Sequence, residues 1–194
     1  VKPTLKDLGS EILLVEHLLE PSLCAHVIQV AECCQFSAPG NPVNVFDTEV
    51  RDASILPLDR GGNLAVSTNQ LLLKQIKAIQ DLLAKHYGVN FAHTEMCSIL
   101  RYLPGQRYKR HVDNLLLPSR FVEVANDIPT RDVSIVGFLN QDFEGGELLF
   151  DRQNVKVTPQ LGSAIVFPAY YTHPYQDLPV LRGKKYSFTS WLFY

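Results

Sequence analysis

The sequence predicts an α+β fold: a double-stranded β-helix, or jelly roll, with N-terminal helices packed on one side. Three observations predict it. Residues 1–90 carry the helix-period patterns, the chain from residue 91 onward reads as strands, and tight turns cut that second part into eight short segments. Among all-β cores the jelly roll fits best, because it leaves a pocket between its two sheets. The 194 residues read as one domain, with 1–90 as helical support and a lid loop and 91–194 as the core.

The elements follow in order. ILLVEHLL at 12–19 is a short strand or the lead-in to a helix. PSLCAHVIQVAECC at 21–34 places Leu23, Val27, Val30 and Cys34 on one helical face, with Pro21 suited to the first turn. STNQLLLKQIKAIQDLLAKHYG at 67–88 is the strongest helix. Leu72, Ile76, Ile79 and Leu83 form its apolar stripe, Ser67 or Thr68 can cap its start, and Gly88 suits the left-handed residue after its end. Between the helices, residues 37–65 are rich in Pro, Gly, Asn and Asp around the extended VRDASILPL at 50–58. A connection of that length in a compact domain is a functional lid, here over residues 37–60, or a disordered segment. The strands expected beyond residue 91 are 94–103, 107–113, 132–140, 147–151, 154–157, 163–168, 171–176 and 184–194, separated by PGQ, NQDFEGG, PQLG and LRG.

Composition narrows the function classes. A net charge of −2 provides no general attraction to nucleic acid or to an anionic membrane. No apolar run approaches the roughly 20 residues needed to cross a bilayer. Cys24, Cys33, Cys34 and Cys97 form no C-x-x-C pair, so they read as reduced, partly buried thiols, which favours a reducing, cytoplasmic setting. The chain begins at Val1 rather than Met, which reads as a trimmed N-terminus, so the missing leader carries no information. Nothing in the sequence specifies an oligomeric state.

RYKRHVDN at 107–114 carries the candidate chemistry. His111 and Asp113 are two apart on a strand and project from one face. His173 in YYTHPYQ supplies a third ligand, and two histidines with one carboxylate make the facial triad of non-haem Fe(II) oxygenases. A competing His-x-carboxylate pair, His93 and Glu95, opens an earlier strand. The LPGQ turn before residue 107 and a cation beyond His173 favour His111 and Asp113. Such an iron site needs an electron donor, commonly 2-oxoglutarate, whose distal carboxylate a buried cation must hold. Along 184–191, Lys185, Ser187, Thr189 and Trp191 share one face, a lining of one cation, two hydroxyls and an aromatic wall.

With these residues together, the chain resembles the prolyl 4-hydroxylase family of Fe(II)/2-oxoglutarate-dependent dioxygenases. The resemblance runs over residues 94–194 through RYLPGQRYKRHVD, FEGGELLF, GSAIVFP and HPYQDLPVLRGKKYSFTSWLFY, with an echo in VRDASIL at 50–56. It implies that His111, Asp113 and His173 bind iron, that Lys185 in PVLRGKK binds the 2-oxoglutarate distal carboxylate, and that Tyr102 helps to hold the cosubstrate. Tyr108, Arg51 and Trp191 are then expected at the substrate end. Tyr108 is three before His111, so it reaches the site only through a bulge or at a strand end. The resemblance further implies O2 as co-reactant and L-ascorbate as reductant. Two features depart from the pattern. His173 and Lys185 are twelve apart, about two more than the collagen-type enzymes have, and RHVDN is closer to the oxygen-sensing branch, which uses Arg where Lys185 stands.

The expected activity is hydroxylation of prolyl residues in a peptide or protein, with release of succinate and CO2. The lid over 37–60 could fold over an extended peptide. Arg101, Arg107, Lys109, Arg110 and Arg120 flank the site, but they are not interleaved with aromatics as in a nucleic-acid-binding surface. The competing readings are hydroxylation of a free amino acid or small metabolite, and a non-catalytic jelly-roll binding module.

Overall fold

A computed structural model describes residues 1–37, 51–60, 62–114, 125 and 129–194. Most of the expected lid and Arg120 lie outside the described residues. Strands are numbered in chain order. The larger sheet has eight strands. Seven run in the order β1 (Thr4–Asp7), β2 (Leu13–Glu16), β11 (Ala164–Pro168), β7 (Val133–Phe138), β14 (Lys185–Phe193), β5 (Ser98–Tyr102) and β3 (Ser54–Pro57), and β4 (His93–Thr94) also pairs with β14. The smaller sheet runs β10 (Val155–Val157), β9 (Leu148–Phe150), β12 (Tyr175–Asp177) and β6 (Tyr108–His111), while β8 (Glu144–Gly145) pairs with β13 (Val180–Arg182).

Two large apolar clusters, and a small one of Ala53, Leu100, Tyr102 and Val180, account for the burial. Between the sheets, Val136, Phe138, Ile165 and Phe167 meet Leu148, Phe150, Val157 and Tyr175. On the other face of the larger sheet, Leu13, Val15, Ile99, Ile135 and Phe188 share a cluster with residues of both helices. Val27 and Ala31 come from α1 (Pro21–Cys33), and Leu72, Ile76, Ile79 and Leu83 from α2 (Gly62–Tyr87). β7 is therefore buried at every position, which explains its run VSIVGF where a half-exposed strand would alternate. Gly137 in its middle is sterically required: a Cβ there would lie 1.9 Å from the Phe188 ring.

Both expected helices form, and the α2 stripe is buried as the spacing predicts. α2 starts earlier than expected, at Gly62. Thr68 sits inside it as a result, with its hydroxyl donating to the Leu64 carbonyl at 2.9 Å instead of capping. Gly88 has the left-handed φ of +71° expected after the helix end. The division at residue 90 does not hold in the sheets. β1, β2 and β3 belong to the larger sheet, with β2 paired to β11 and β3 to β5. Strands of four residues leave little local signal, and the places of β2 and β3 are decided by tertiary contacts with strands far along the chain. Among the described residues no helix is long and apolar enough to cross a membrane.

Candidate active site

The smaller sheet brings His111 on β6 into register with Tyr175 on β12. The His111 Nδ1 lies 2.7 Å from the Lys109 carbonyl, which fixes that nitrogen as the donor and turns the lone pair of Nε2 inward. Nε2 is buried with no hydrogen-bond partner, and the Asp113 carboxylate Oδ1 stands 3.5 Å away. The imidazole is sandwiched, stacked on Tyr108 at 3.7 Å between ring centroids and 4.4 Å from Tyr175. Tyr108 reaches this position through the expected irregularity. Tyr175 pairs with His111 and Asp177 with Tyr108, two steps on one strand against three on the other.

Asp113 is held by four donors or partners. Ser134 Oγ donates to Oδ2 at 2.5 Å and Trp191 Nε1 to the same oxygen at 2.9 Å, while Tyr175 Oη donates to Oδ1 at 3.1 Å beside His111. Burial by itself would raise the carboxyl's pKa, but the adjacent His111 imidazole, with hydrogen bonds from Ser134 and Trp191, outweighs it and brings the value down to about 2. Burial likewise opposes protonation of His111, yet the adjacent Asp113 carboxylate raises its pKa above the ordinary value.

His173 does not join this pair, which corrects the ligand set expected from the sequence. Its Nε2 donates to the Ser10 carbonyl at 2.7 Å and its Nδ1 accepts from the Thr172 hydroxyl at 2.8 Å, so both ring nitrogens are engaged elsewhere. The cause is where the strand begins. An uninterrupted strand over 171–176 would put residues 173 and 175 on one face. β12 starts only at Tyr175, and the chain before it turns, with His173 N bonded to the Tyr170 carbonyl. Tyr175 holds the place opposite His111 instead. Burial and then the Asp113 charge push its pKa well above the ordinary value, so it is a neutral phenol. Among the described residues no three His, Cys, Asp or Glu side chains are grouped to hold a metal ion. The sequence contained a signal for this: counting the expected ten residues back from Lys185 lands on Tyr175, not His173.

The other expected binding residues lie on the inner face of the larger sheet. Lys185, Ser187 and Trp191 alternate along β14, with Lys185 fully buried and Ser187 1% exposed. The Lys185 ammonium is engaged: it pairs with Asp177, donates to the Gly146 carbonyl at 2.7 Å, and sits 5.0 Å from the Tyr102 ring centroid. Tyr102 donates to the second oxygen of Asp177 at 3.2 Å. Arg51 is buried, forms a backbone bridge with Tyr108, and lies near enough to Tyr102 for its charge to act on that phenol. Sequence reasoning missed Asp177 and Ser134. Asp177 was accessible by period two from Tyr175, whereas Ser134 sits in an apolar run with no local mark.

The His93–Glu95 alternative dissolves. His93 is exposed and stacked on Phe193, and Glu95 is paired with Arg131 at 2.7 Å, whose guanidinium covers the Trp191 ring at 3.6 Å.

Comparison with known proteins places the architecture. Residues 97–193, half of the chain, match the 2OG-Fe(II) oxygenase superfamily, and the chain belongs to it. It is 25% identical over 190 residues to a protein of Acanthamoeba polyphaga mimivirus described as a putative prolyl 4-hydroxylase, covering 92% of this chain and 72% of that one. It is 30% identical over 142 residues to a PKHD-type hydroxylase of Prochlorococcus marinus, covering 71% and 58%. It is 25% identical to human prolyl 3-hydroxylase 3, covering 94% of this chain but 28% of that one. The fold is similar to the viral collagen prolyl hydroxylase of Paramecium bursaria Chlorella virus-1, with a TM-score of 0.66 and 20% identity over 95% of this chain and 96% of that one. It is also similar to a Trichoplax adhaerens prolyl hydroxylase solved with a hypoxia-inducible-factor peptide, with a TM-score of 0.68 and 21% identity over 95% and 84%.

Superfamily membership implies Fe(II), 2-oxoglutarate and O2. The residues fit the iron in part: a buried, inward-facing imidazole lone pair and an ionised carboxylate are suitable donors, but the third place holds a phenol. They do not fit the distal carboxylate of 2-oxoglutarate as arranged, because Asp177 is already on both Lys185 and Tyr102.

Proposed function

We propose that this chain is an Fe(II)- and 2-oxoglutarate-dependent dioxygenase of the prolyl hydroxylase type, hydroxylating prolyl residues in a peptide or protein with release of succinate and CO2. The observation that carries the reading is the His111 imidazole. One nitrogen is anchored on the Lys109 carbonyl, and the other is buried beside Asp113, within the superfamily-matched segment. Bound iron, with 2-oxoglutarate and O2, would supply the oxidising power for C–H hydroxylation, and L-ascorbate would serve as reductant.

The protein's part is orientation. His111 and Asp113 contribute two metal ligands, and Ser134 and Trp191 fix the Asp113 carboxylate. Tyr108 buttresses the imidazole and, with Arg51, borders the substrate side. Lys185, Tyr102 and Ser187 form the cosubstrate end. A peptide substrate is supported by the prolyl hydroxylase relatives and by the peptide in the Trichoplax complex. The chain forms one domain, in which the two N-terminal helices back the larger sheet on the side away from the pocket, consistent with their shared apolar cluster. Four free cysteines suit a reducing, cytoplasmic setting.

The test is incubation of the protein with Fe(II), 2-oxoglutarate, O2 and a panel of proline-rich peptides, read by mass spectrometry. The expected result is a peptide one oxygen heavier, with succinate formed in proportion. No oxygenated peptide and no succinate above the protein-free control would refute the reading. Two contacts favour a second reading, a non-catalytic binding module: Tyr175 on Asp113 and Asp177 on Lys185. Peptide binding without succinate release would identify it.

A further inference from the structure

The geometry points to Asp177 as a built-in carboxylate that fills the diacid end of the pocket and weakens this chain's binding of 2-oxoglutarate. The inference rests on reading the pocket as the family's cosubstrate site. Asp177 follows Tyr175 by two along β12, so both side chains enter the space between the sheets, where they are 4% and 2% exposed. One oxygen of Asp177 takes the Lys185 ammonium and the other accepts from the Tyr102 hydroxyl. These are the two side chains that the family resemblance implies for the cosubstrate, beside Ser187 on the same face of β14 as Lys185. A single internal carboxylate therefore makes both contacts that the distal carboxylate of 2-oxoglutarate would make.

Lys185 has little freedom to serve a second anion. Its remaining donors face the Gly146 carbonyl and the Tyr102 and Phe138 rings. The Gly146 backbone is packed against its stem so closely that a Cβ there would lie 3.1 Å from Lys185 Cδ. The buried pair is neutral as a unit. An incoming carboxylate would meet no net positive charge and would be desolvated beside another carboxylate. It must displace Asp177, which is covalently held and so competes at high effective concentration.

The test compares 2-oxoglutarate binding in the wild type, Asp177→Asn and Asp177→Ala. Calorimetry is run anaerobically with Mn(II), and fluorescence of Trp191, the one tryptophan, is followed in parallel. Asn retains a hydrogen-bonding group but no charge, so that variant keeps the fold if Ala does not. The neutral variants are expected to bind about ten- to a hundred-fold tighter than the wild type, the range for one charge-assisted contact. Adding Lys185→Met to either neutral variant should abolish the gain, because the ammonium released from Asp177 is what the ligand carboxylate would use. Wild-type binding as tight as that of either folded variant would overturn the inference, and a wild-type titration that saturates near stoichiometric 2-oxoglutarate would overturn it even if neither variant folds. Mn(II) affinity, measured separately by electron paramagnetic resonance, keeps failure of the metal-site reading distinct from failure of this one.

Discussion

Replacing Asp177 with alanine would strand the Lys185 ammonium inside the protein. The side chains of the pair are 0% and 5% exposed, so solvent can supply almost none of the lost interaction. The Gly146 carbonyl and two aromatic faces would remain, but no counter-charge in contact. Removing one partner of a pair buried this deeply costs about 3–5 kcal/mol. For a domain of this size, that lowers the midpoint of thermal unfolding by roughly 6–20 °C. Replacing both partners with apolar residues, as in Asp177→Leu with Lys185→Met, leaves no stranded charge and should cost far less than Asp177→Ala alone. Urea unfolding of the two single variants, the double variant and the wild type measures the coupling directly. The free diacid should in turn stabilise Asp177→Ala, by restoring the missing carboxylate, more than it stabilises the wild type. A single-variant loss below about 1 kcal/mol, or a double variant no more stable than Asp177→Ala, would refute the argument.

Three further outcomes are expected. His173→Ala should leave Mn(II) affinity unchanged within about twofold while His111→Ala abolishes it, since only His111 has a ring nitrogen turned toward Asp113; calorimetry separates the two. Metal affinity should fall in acid. The His111 pKa is raised, so protons compete with the metal beginning at a pH above the ordinary imidazole value, and affinity drops further as pH falls below it; binding that does not change between pH 8 and 6 would contradict this. Gly137→Ala should destabilise the fold by about 1–3 kcal/mol or more, because its Cβ would overlap the Phe188 ring; a denaturation midpoint equal to wild type would show that the two strands separate at little cost.

The elements legible in the sequence are those whose periodicity is local and long. The α2 stripe and the β14 alternation, which places Lys185, Ser187 and Trp191 on one face, are both present as read. The His111 and Asp113 pair was legible because the two residues are close in sequence and need no distant information, although β6 ends at His111, short of the expected strand 107–113, and Asp113 lies in the bend that follows. His173 was misplaced because the strand expected at 171–176 begins only at Tyr175, and a histidine in the preceding turn points where the turn sends it. β1, β2 and β3 were not assigned to the core because four-residue strands carry little local signal, and β2 and β3 take their places from β11 and β5 far along the chain.

The sequence by itself determined the two helices, the run of strands beyond residue 91, the superfamily motifs and the identity of the buried cation. Only the tertiary structure decided which side chains meet: Tyr175 rather than His173 opposite His111, and Asp177 on Lys185 and Tyr102. The physical reason is that residue types and spacings specify chemistry along one strand, whereas pairing across β6, β12 and β14 depends on register, on a bulge and on where a strand starts. A carboxylate two residues beyond a ligand position looks like any polar residue until the neighbouring sheet sets a lysine against it.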